Sequence, residues 1–424
     1  MQMESYQFDD KIISINKKGA SSFSKVSYPI RYGRFSEIKT NEYIYQFNLN
    51  GEIKFIQGKN QKWPDPNEWL KRTISNDWIY YSSGGYQGIY SFMGEYYVPY
   101  FKYSCNTIFR NNPFGNVHIE SAIHSLDALL SSLKHTSFEK ASPSIQHFIL
   151  QTTKNNLSAL EVKSGKLRSI IGSHVTVLPP DTRHVDYEVI PIIIADGCVY
   201  NCGFCSVKEK KKFSRRSEKN ISEQIRQLKG FYKNDISNYN AVFLGQHDAL
   251  RAGIDVIEFA AHQSYTMFDI EHSNMKDPRL FLFGSLDSLL GSDEAVFKAL
   301  NKTPFYIYIN VGLESADQKT LDRLKKPVSA QRVRKAFSKM IDLNKRFENL
   351  EISANFILSP DLPDNHYNSI LDLVRDGLNH YYSKGNIYLS PMNPDTSKKQ
   401  MQEKFTALKN QSRLPTHVYL IQRL

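Results

Sequence analysis

Three cysteines stand close together near the middle of the chain, at a spacing typical of a metal-binding loop. Cys198, Cys202 and Cys205 form a C-x3-C-x2-C pattern. They follow the apolar run 189–195, so we expect them on a loop at the end of a buried strand. Thiolate sulfur is a soft ligand that selects zinc or iron–sulfur clusters. The spacing therefore predicts a metal site rather than a part of the hydrophobic core.

A set of three cysteines is one ligand short of a closed metal shell. Structural zinc usually has four protein ligands, and an iron–sulfur cluster usually takes four cysteines. One hypothesis is a structural site that Cys105 or a histidine such as His247 completes. The other hypothesis leaves one metal position open for chemistry, and the spacing and flanking residues favour it.

The elements that must position this loop follow a regular pattern in the second half of the chain. Short β-rich runs lie at 189–195, 241–244, 280–283, 305–311, 352–358 and 387–389. Amphipathic helical segments fit between them, at 221–232, 254–262, 294–300, 330–343 and 369–378. Six strands joined by helical crossovers predict an α/β fold with a parallel sheet, either doubly wound or a partial barrel. In both folds the chemistry gathers at the carboxyl ends of the strands.

The cysteine pattern, with Phe204 just before the last cysteine, resembles the signature of the radical S-adenosylmethionine (SAM) superfamily. The resemblance extends over about 187–395 and implies a partial (β/α)6 TIM-like barrel. It implies that the three thiolates hold a [4Fe-4S] cluster, that SAM chelates the fourth iron, and that Phe204 lies near the adenine. One electron from the cluster would then cleave SAM and yield a 5′-deoxyadenosyl radical that abstracts hydrogen from a substrate.

By the same resemblance, residues at other strand ends are candidates for binding SAM. Gly245 and Asp248 lie where relatives carry a glycine-rich acidic segment that receives the SAM amino group, although this chain departs from the common Gly-Gly-Glu form. Glu314 lies in a Gly-Leu-Glu-Ser segment like that of coproporphyrinogen dehydrogenases and tRNA methylthiotransferases. Its carboxylate could accept hydrogen bonds from ribose hydroxyls or from the ammonium of SAM. Ser285 and Asn355 are candidates by position, although such small polar residues are as often structural.

Neighbouring residues have structural interpretations as well. Ser315 and Gln318 fit a capping box, which would leave Glu314 free to face the site. His247 could be an acid or base facing the substrate, but a merely hydrogen-bonded loop histidine is the commoner case. The basic run 208–219 could guide RNA or a phosphate-bearing substrate to the site, or it could be a solvated loop.

The chain divides into three predicted parts, an N-terminal α+β domain (1–185), a barrel (186–395) and a C-terminal extension (396–424). In the first part, 43–47 and 53–56 predict a β-hairpin, and the prolines before 68–72 predict the start of a helix. The aromatic-rich stretch 78–103 is either a substrate platform or a β-meander with buried rings, and strand propensity favours the meander. We expect this domain to cover the open side of the barrel.

Composition excludes several classes of protein. The chain has 424 residues, a net charge of +11 and four cysteines, which do not make a disulfide framework. Its start lacks a signal peptide, and no apolar stretch approaches the roughly 20 residues that span a bilayer, so we expect a cytoplasmic protein without a membrane partner.

Two functional hypotheses follow from the sequence. The first is a radical SAM enzyme with one cluster, acting on a small molecule or RNA and reduced by a donor such as flavodoxin or ferredoxin. Only one cysteine lies outside the motif, and there is no Asp-x-His-x-x-Gly cobalamin signature, so we expect no second cofactor of either kind. The second is an RNA-binding protein with a structural zinc or iron–sulfur site.

Overall fold

The computed structural model describes residues 2–23, 31–83, 98–101, 112–200, 202–205, 212–392 and 397–424. Three sequence features lie wholly or partly outside these residues. They are Cys105, the basic residues 208–211 and most of the aromatic stretch.

The N-terminal part is built on an antiparallel sheet whose strands follow one another in chain order. They are β1 (Glu4–Phe8), β2 (Lys11–Lys18), β3 (Arg34–Lys39), β4 (Tyr43–Phe47), β5 (Ile53–Gly58), β6 (Trp69–Arg72), β7 (Trp78–Ser82) and β8 (Val98–Tyr100). The hairpin of β4 and β5 confirms the prediction. The helix expected at 68–72 is wrong, because β6 is buried along its length and pairs with β5 and β7. Tertiary pairing has outweighed the local proline signal.

The described part of the aromatic stretch belongs to the core of this sheet. Tyr80, Tyr81 and Tyr100 have 0% of their surface exposed. The hydroxyl of Tyr80 donates to Glu68, and that of Tyr81 donates to Asp186 at 2.8 Å. For these residues the β-meander interpretation is confirmed.

Among the described residues, three helices lead from the antiparallel sheet to the barrel. They are α1 (Val117–Lys134), α2 (Pro143–Lys154) and α3 (Leu157–Ile171). Their buried positions recur at helical spacing, as with Leu126, Leu130 and Leu133 on α1. Phe148 on α2 packs edge-on against Phe47 of β4, so the helices cover the apolar face of the sheet.

The second half of the chain forms a parallel sheet. Its strands are β9 (Ile190–Ile193), β12 (Ala241–Gly245), β13 (Arg279–Gly284), β14 (Tyr306–Glu314), β15 (Leu350–Leu358), β16 (Ile387–Pro391) and β17 (Thr416–Val418). A short antiparallel pair, β10 (Ala195–Asp196) and β11 (Ser214–Arg215), flanks the cysteine loop. Each strand of the parallel sheet pairs with the next in chain order, without the reversal that defines a doubly wound sheet. The fold is therefore the predicted partial TIM-like barrel, with a seventh strand contributed by the C-terminal extension.

Helices follow the strands of the barrel, as the alternating pattern predicts. They are α4 (Glu218–Tyr232), α5 (Ile254–Met267), α6 (Leu286–Gly291), α7 (Glu294–Leu300), α8 (Gln318–Arg323), α9 (Ala330–Arg346), α10 (Asp364–Leu371) and α11 (Lys398–Gln411). Strand β12 shows why these strands form. Its residues from Ala241 to Leu244 have 0% exposure, since both faces of a barrel strand are covered. Within the described ranges, no helix combines the length and apolarity needed to cross a membrane.

The antiparallel sheet and its loops contact the barrel at the amino ends of the barrel strands. Tyr32 donates to Asp186, just before β9, at 3.1 Å, and Asn48 donates to Asp235, before β12, at 3.1 Å. The cysteine loop follows β9 and therefore lies at the opposite end, which the end of α3 reaches through Ile171 O. For the described residues of the sheet, the expectation that this domain covers the open side of the site is wrong.

Candidate functional site

The cysteine loop begins where β10 ends, and contacts from two other elements hold it. Gly197 has a left-handed φ of +75°, which lets the chain turn into the loop. The backbone N–H of Gly203 donates to Leu324 O, beyond α8, at 3.1 Å. The hydroxyl of Tyr200 accepts from the backbone N–H of Asp287 on α6 at 3.2 Å. The loop is thus tied to the segments that follow β13 and β14.

Burial perturbs the thiols of Cys198 and Cys202. Cys202 is buried, and Cys198 and Cys205 are half-buried. Burial raises the pKa of Cys202 to about 11, although the nearby charge of Lys326 opposes the shift. Burial also raises the pKa of Cys198, and a backbone N–H from Tyr200 opposes it. Burial disfavours the thiolate form of these cysteines, yet metal ligation needs that deprotonated form. The positive charge of a bound metal centre would offset the cost, so the loop fits a metal site.

The chemistry of the donor set fits an iron–sulfur cluster. Cys198, Cys202 and Cys205 are three soft sulfur donors on one loop, and the irons of a [4Fe-4S] cluster are held by cysteine thiolates. Across the described ranges, no group of three or more His, Cys, Asp or Glu side chains is arranged to hold one metal ion.

Asp248 carries an unsatisfied carboxylate oxygen beside this loop. The side chain is 1% exposed, and its Oδ1 accepts from Ser285 N and Ser288 Oγ, both at 2.8 Å. Its Oδ2 is buried and finds no hydrogen-bond partner among the described residues. Burial is the main reason that the pKa of Asp248 is raised, and the charge of Asp248 in turn raises the pKa of Cys198. A buried acceptor without a donor fits a ligand that brings a cationic N–H group.

Glu314 ends β14 in a strained backbone conformation. Its φ of +68° is in the left-handed region, which is uncommon for a residue other than glycine. The carboxylate folds back over Gly312, where an added Cβ would lie 2.4 Å from Glu314 Oε1. Burial raises the pKa of Glu314, and Lys326, 3.5 Å from Oε1, opposes the shift. Strain of this kind occurs at functional sites that the surrounding structure holds in place.

The segment after Glu314 is capped differently from the prediction. Asp317, not Ser315, caps α8, and its carboxylate accepts from Thr320 N at 2.9 Å. Ser315 Oγ instead lies 2.8 Å from Nδ1 of His366, whose Nε2 lies 2.9 Å from Ile357 O. Burial lowers the pKa of His366 to about 4, so the ring is neutral near pH 7. Nε2–H therefore donates to Ile357 O while Nδ1 accepts from Ser315, and this joins the ends of β14 and β15.

The remaining predicted residues have visible structural roles. Gly245 is needed for packing, because an added Cβ would lie 2.5 Å from a side chain of β9. Ser285 caps α6 and joins it to Asp248. Asn355 forms paired amide hydrogen bonds with Asn310, and Phe204 is half-buried against the core. Contact of these four residues with SAM stays a prediction.

Lys326 is a residue of this site that sequence analysis did not single out. It is 5% exposed, and its Nζ donates to Gly312 O at 2.8 Å and lies 5.3 Å from the centre of the Tyr200 ring. Its charge lowers the pKa of both Cys198 and Cys202. In the sequence it is one lysine in a basic turn after α8, with no local signal that separates it from its exposed neighbour Lys325.

Two arginines in the described part of the basic run 208–219 are engaged in contacts within the protein. Arg215 forms an ion pair with Asp255, and Arg216 forms one with Asp196 at 2.7 Å. Arg216 also donates to Ile171 O at 2.5 Å. These two arginines help to hold β11 and the start of the cysteine loop, which does not favour the RNA-binding hypothesis.

Comparison with known proteins agrees with the geometry. Residues 192–374 match the family model of the Radical SAM superfamily. Over this segment, which is less than half of the chain, the protein is similar to the radical SAM superfamily, whose members use a [4Fe-4S] cluster and SAM. The match is to the superfamily and does not select the branch that contains coproporphyrinogen dehydrogenases. No curated protein sequence matches the chain.

Several solved structures are remotely similar. A radical SAM methyltransferase from Sphaerobacter thermophilus is 14% identical with a TM-score of 0.35; the match covers 54% of this chain and 64% of that protein, less than two thirds of its length. Streptococcus suis SuiB is 11% identical with a TM-score of 0.37, over 83% of this chain and 70% of SuiB. The FeFe-hydrogenase maturase HydG from Carboxydothermus hydrogenoformans is 11% identical with a TM-score of 0.33, over 68% of each chain. These values say nothing about the substrate.

Proposed function

We propose that this protein binds SAM beside a [4Fe-4S] cluster on Cys198, Cys202 and Cys205 and abstracts hydrogen from a substrate. The observation that carries the proposal is the buried, unsatisfied oxygen of Asp248, whose charge acts on the thiol of Cys198. When bound, the cluster supplies one electron that cleaves SAM to methionine and a 5′-deoxyadenosyl radical, which takes a hydrogen atom from the substrate.

The chain's own residues would bind and orient SAM. Asp248 Oδ2 would accept a hydrogen bond from the ammonium group of SAM, because it is a buried acceptor that lacks a donor. Lys326 has three N–H donors, and Gly312 O and Glu314 account for two of them. The third is available to the carboxylate of SAM. Glu314 would keep an acceptor for a ribose hydroxyl of SAM.

The reductant and substrate are further parts of the proposal. The chain has one cysteine outside the motif, too few to hold a second cluster that could relay electrons. We therefore expect an external donor such as flavodoxin or ferredoxin. The substrate is a small molecule or an RNA, and the ion pairs of Arg215 and Arg216 favour the small molecule.

The proposal is tested by anaerobic reconstitution with iron and sulfide, followed by reduction with dithionite in the presence of SAM. We expect about four irons per chain and release of 5′-deoxyadenosine, measured by liquid chromatography with mass spectrometry. Cys202→Ala should lose both, whereas Cys105→Ala is the matched control and should retain both. Bound zinc without iron, together with no 5′-deoxyadenosine, would contradict the proposal. Replacing dithionite with reduced flavodoxin then tests the electron donor.

A further inference from the structure

A chain of four buried polar side chains crosses the interior of the barrel. Asp181 belongs to the turn before β9 and is 0% exposed. Ser353 and Asn310, in register on β15 and β14, are also 0% exposed. Asn355 is 8% exposed and is in register with Gly312, two residues before Glu314. The chain therefore leads from a buried carboxyl group to the level of the candidate SAM site.

When Asp181 is ionised, the first hydrogen bonds of this chain have a defined direction. Ser353 Oγ then donates its proton to Asp181 Oδ2 at 2.6 Å. A hydroxyl group has a single proton, so Ser353 Oγ can only accept from its next neighbour. That neighbour is Asn310, whose Nδ2 lies 2.8 Å from Ser353 Oγ. Asp181 thus fixes the orientation of the Asn310 side-chain amide, whose nitrogen faces Ser353.

The orientation of Asn310 in turn sets that of Asn355. Asn310 Nδ2 donates to Asn355 Oδ1 at 3.1 Å, and Asn355 Nδ2 donates to Asn310 Oδ1 at 2.7 Å. If Asn310 reversed its amide, oxygen would face oxygen unless Asn355 reversed as well. With one N–H bonded to Asn310, the second N–H of Asn355 points away from Asn310 as a donor.

We propose that Asp181 is a positioning residue that holds Asn355, through Ser353 and Asn310, with an amide N–H available to an oxygen of SAM. This rests on the proposed function, because it needs SAM to bind at the carboxyl end of β15. Without an acceptor at position 181, Ser353 can donate to Asn310, and the two amides can reverse together. Asn355 would then present oxygen to an oxygen of SAM, which is repulsive.

The test compares SAM affinity in four variants of the reconstituted protein, by equilibrium dialysis at pH 8, where Asp181, with a pKa raised by burial to about 7, is ionised. Asp181→Leu removes the acceptor at similar volume, and we expect about tenfold weaker binding if only a tenth of the molecules keep the N–H outward. Asp181→Asn should restore wild-type affinity, because its amide oxygen can accept from Ser353 while its nitrogen donates to Tyr388. Asn355→Ala should also weaken binding about tenfold, the usual effect of losing one hydrogen bond of about 1.4 kcal/mol.

Tyr388→Phe is the matched control. The hydroxyl of Tyr388 donates to Asp181 Oδ1 at 2.9 Å, so this variant perturbs the same carboxyl group and leaves the bond to Ser353 in place. We expect its affinity for SAM to stay within about twofold of the wild type, well inside the tenfold effect of one lost hydrogen bond. If Asp181→Leu does not fold, Ser353→Ala leaves both amide orientations equally open and should weaken binding about twofold.

The outcomes separate this inference from the proposed function. Normal SAM binding by Asp181→Leu together with weak binding by Asn355→Ala would overturn the positioning role, since Asn355 would then act alone. Equal losses in Asp181→Asn and Asp181→Leu would also overturn it, as a general effect of altering the core. A wild-type protein that binds no SAM would contradict the proposed function. In that case, neutron crystal structures of the wild type and Asp181→Leu without SAM, which locate the amide N–H groups, still decide whether the amide pair reverses.

Discussion

The substitution Asp248→Asn separates SAM binding from protein stability at a single atom. The asparagine keeps an oxygen for the bonds from Ser285 N and Ser288 Oγ and replaces only the unsatisfied Oδ2 with a neutral NH2 group. A charge-assisted hydrogen bond contributes about 1.5–3 kcal/mol, so its loss should raise the dissociation constant of SAM roughly 10- to 150-fold. The variant without SAM should be at least as stable as the wild type, because a buried carboxylate has been removed.

Isothermal titration of SAM into the reconstituted protein measures the dissociation constant, and thermal unfolding followed by circular dichroism measures the stability of the variant. Asp342→Asn is the matched control. Asp342 is on α9, is more than half exposed and pairs with Arg346, so its change should alter SAM affinity less than about twofold. Binding by Asp248→Asn within twofold of the wild type would refute the assignment of Oδ2 to the SAM ammonium. Weak binding with an equally large loss of stability would point to a structural role instead.

Three further predictions concern buried ionisable groups. Lys326→Met should lower the free energy of unfolding in urea by about 3 kcal/mol, because it leaves the buried Glu314 carboxylate unpaired. Lys325→Met, at an exposed neighbouring position, should change the free energy of unfolding little. Equal effects of the two substitutions would contradict the pairing of Lys326 with Glu314. Burial raises the pKa of Asp181 to about 7, so folding favours its protonated form, and the stability from this group is lost as the pH rises through about 7. In urea unfolding, the free energy of unfolding of Asp181→Asn relative to that of the wild type should be about 1–3 kcal/mol more favourable at pH 8 than at pH 5. A difference between the two proteins that does not change with pH would show that Asp181 is not buried in this way. Burial lowers the pKa of His366 to about 4, so its contribution has the opposite sign and is lost as the pH falls from about 6.5 through 4. His366→Gln should therefore lose less stability than the wild type between pH 7 and pH 4, by up to roughly 3 kcal/mol, and parallel pH curves for the two proteins would rule out a buried neutral histidine.

Local patterns in the sequence were enough to predict a parallel α/β sheet and the cysteine loop. Alternation of β-rich runs with amphipathic segments predicts β9 and β12–β16 because burial of a strand or of one helix face depends on periodicity within a few residues. The spacing of Cys198, Cys202 and Cys205 is likewise local, since all three cysteines lie on one loop. Sequence order alone could not decide between a doubly wound sheet and a barrel, because that choice depends on which strands pair.

Where a local signal competed with tertiary contacts, the tertiary contacts decided. The prolines before 68–72 favour a helix start, but pairing with β5 and β7 makes this segment a strand. Ser315 and Gln318 have the spacing of a capping box, but Ser315 bonds to His366, which is 51 residues further along the chain. In both cases a hydrogen-bond partner that is distant in the sequence replaces the local partner and satisfies the same backbone or hydroxyl groups.

The sequence by itself determined the cysteine loop and the alternation of strands and helices in the second half of the chain. Only the tertiary structure brought the unsatisfied oxygen of Asp248 and the charge of Lys326 to the same end of the barrel and linked Asp181 to Asn355 through its interior. These groups come from different strands and turns, and their effect depends on burial and on distances of about 3 Å. No spacing rule in one segment encodes such distances, because folding brings the residues together only when the barrel closes.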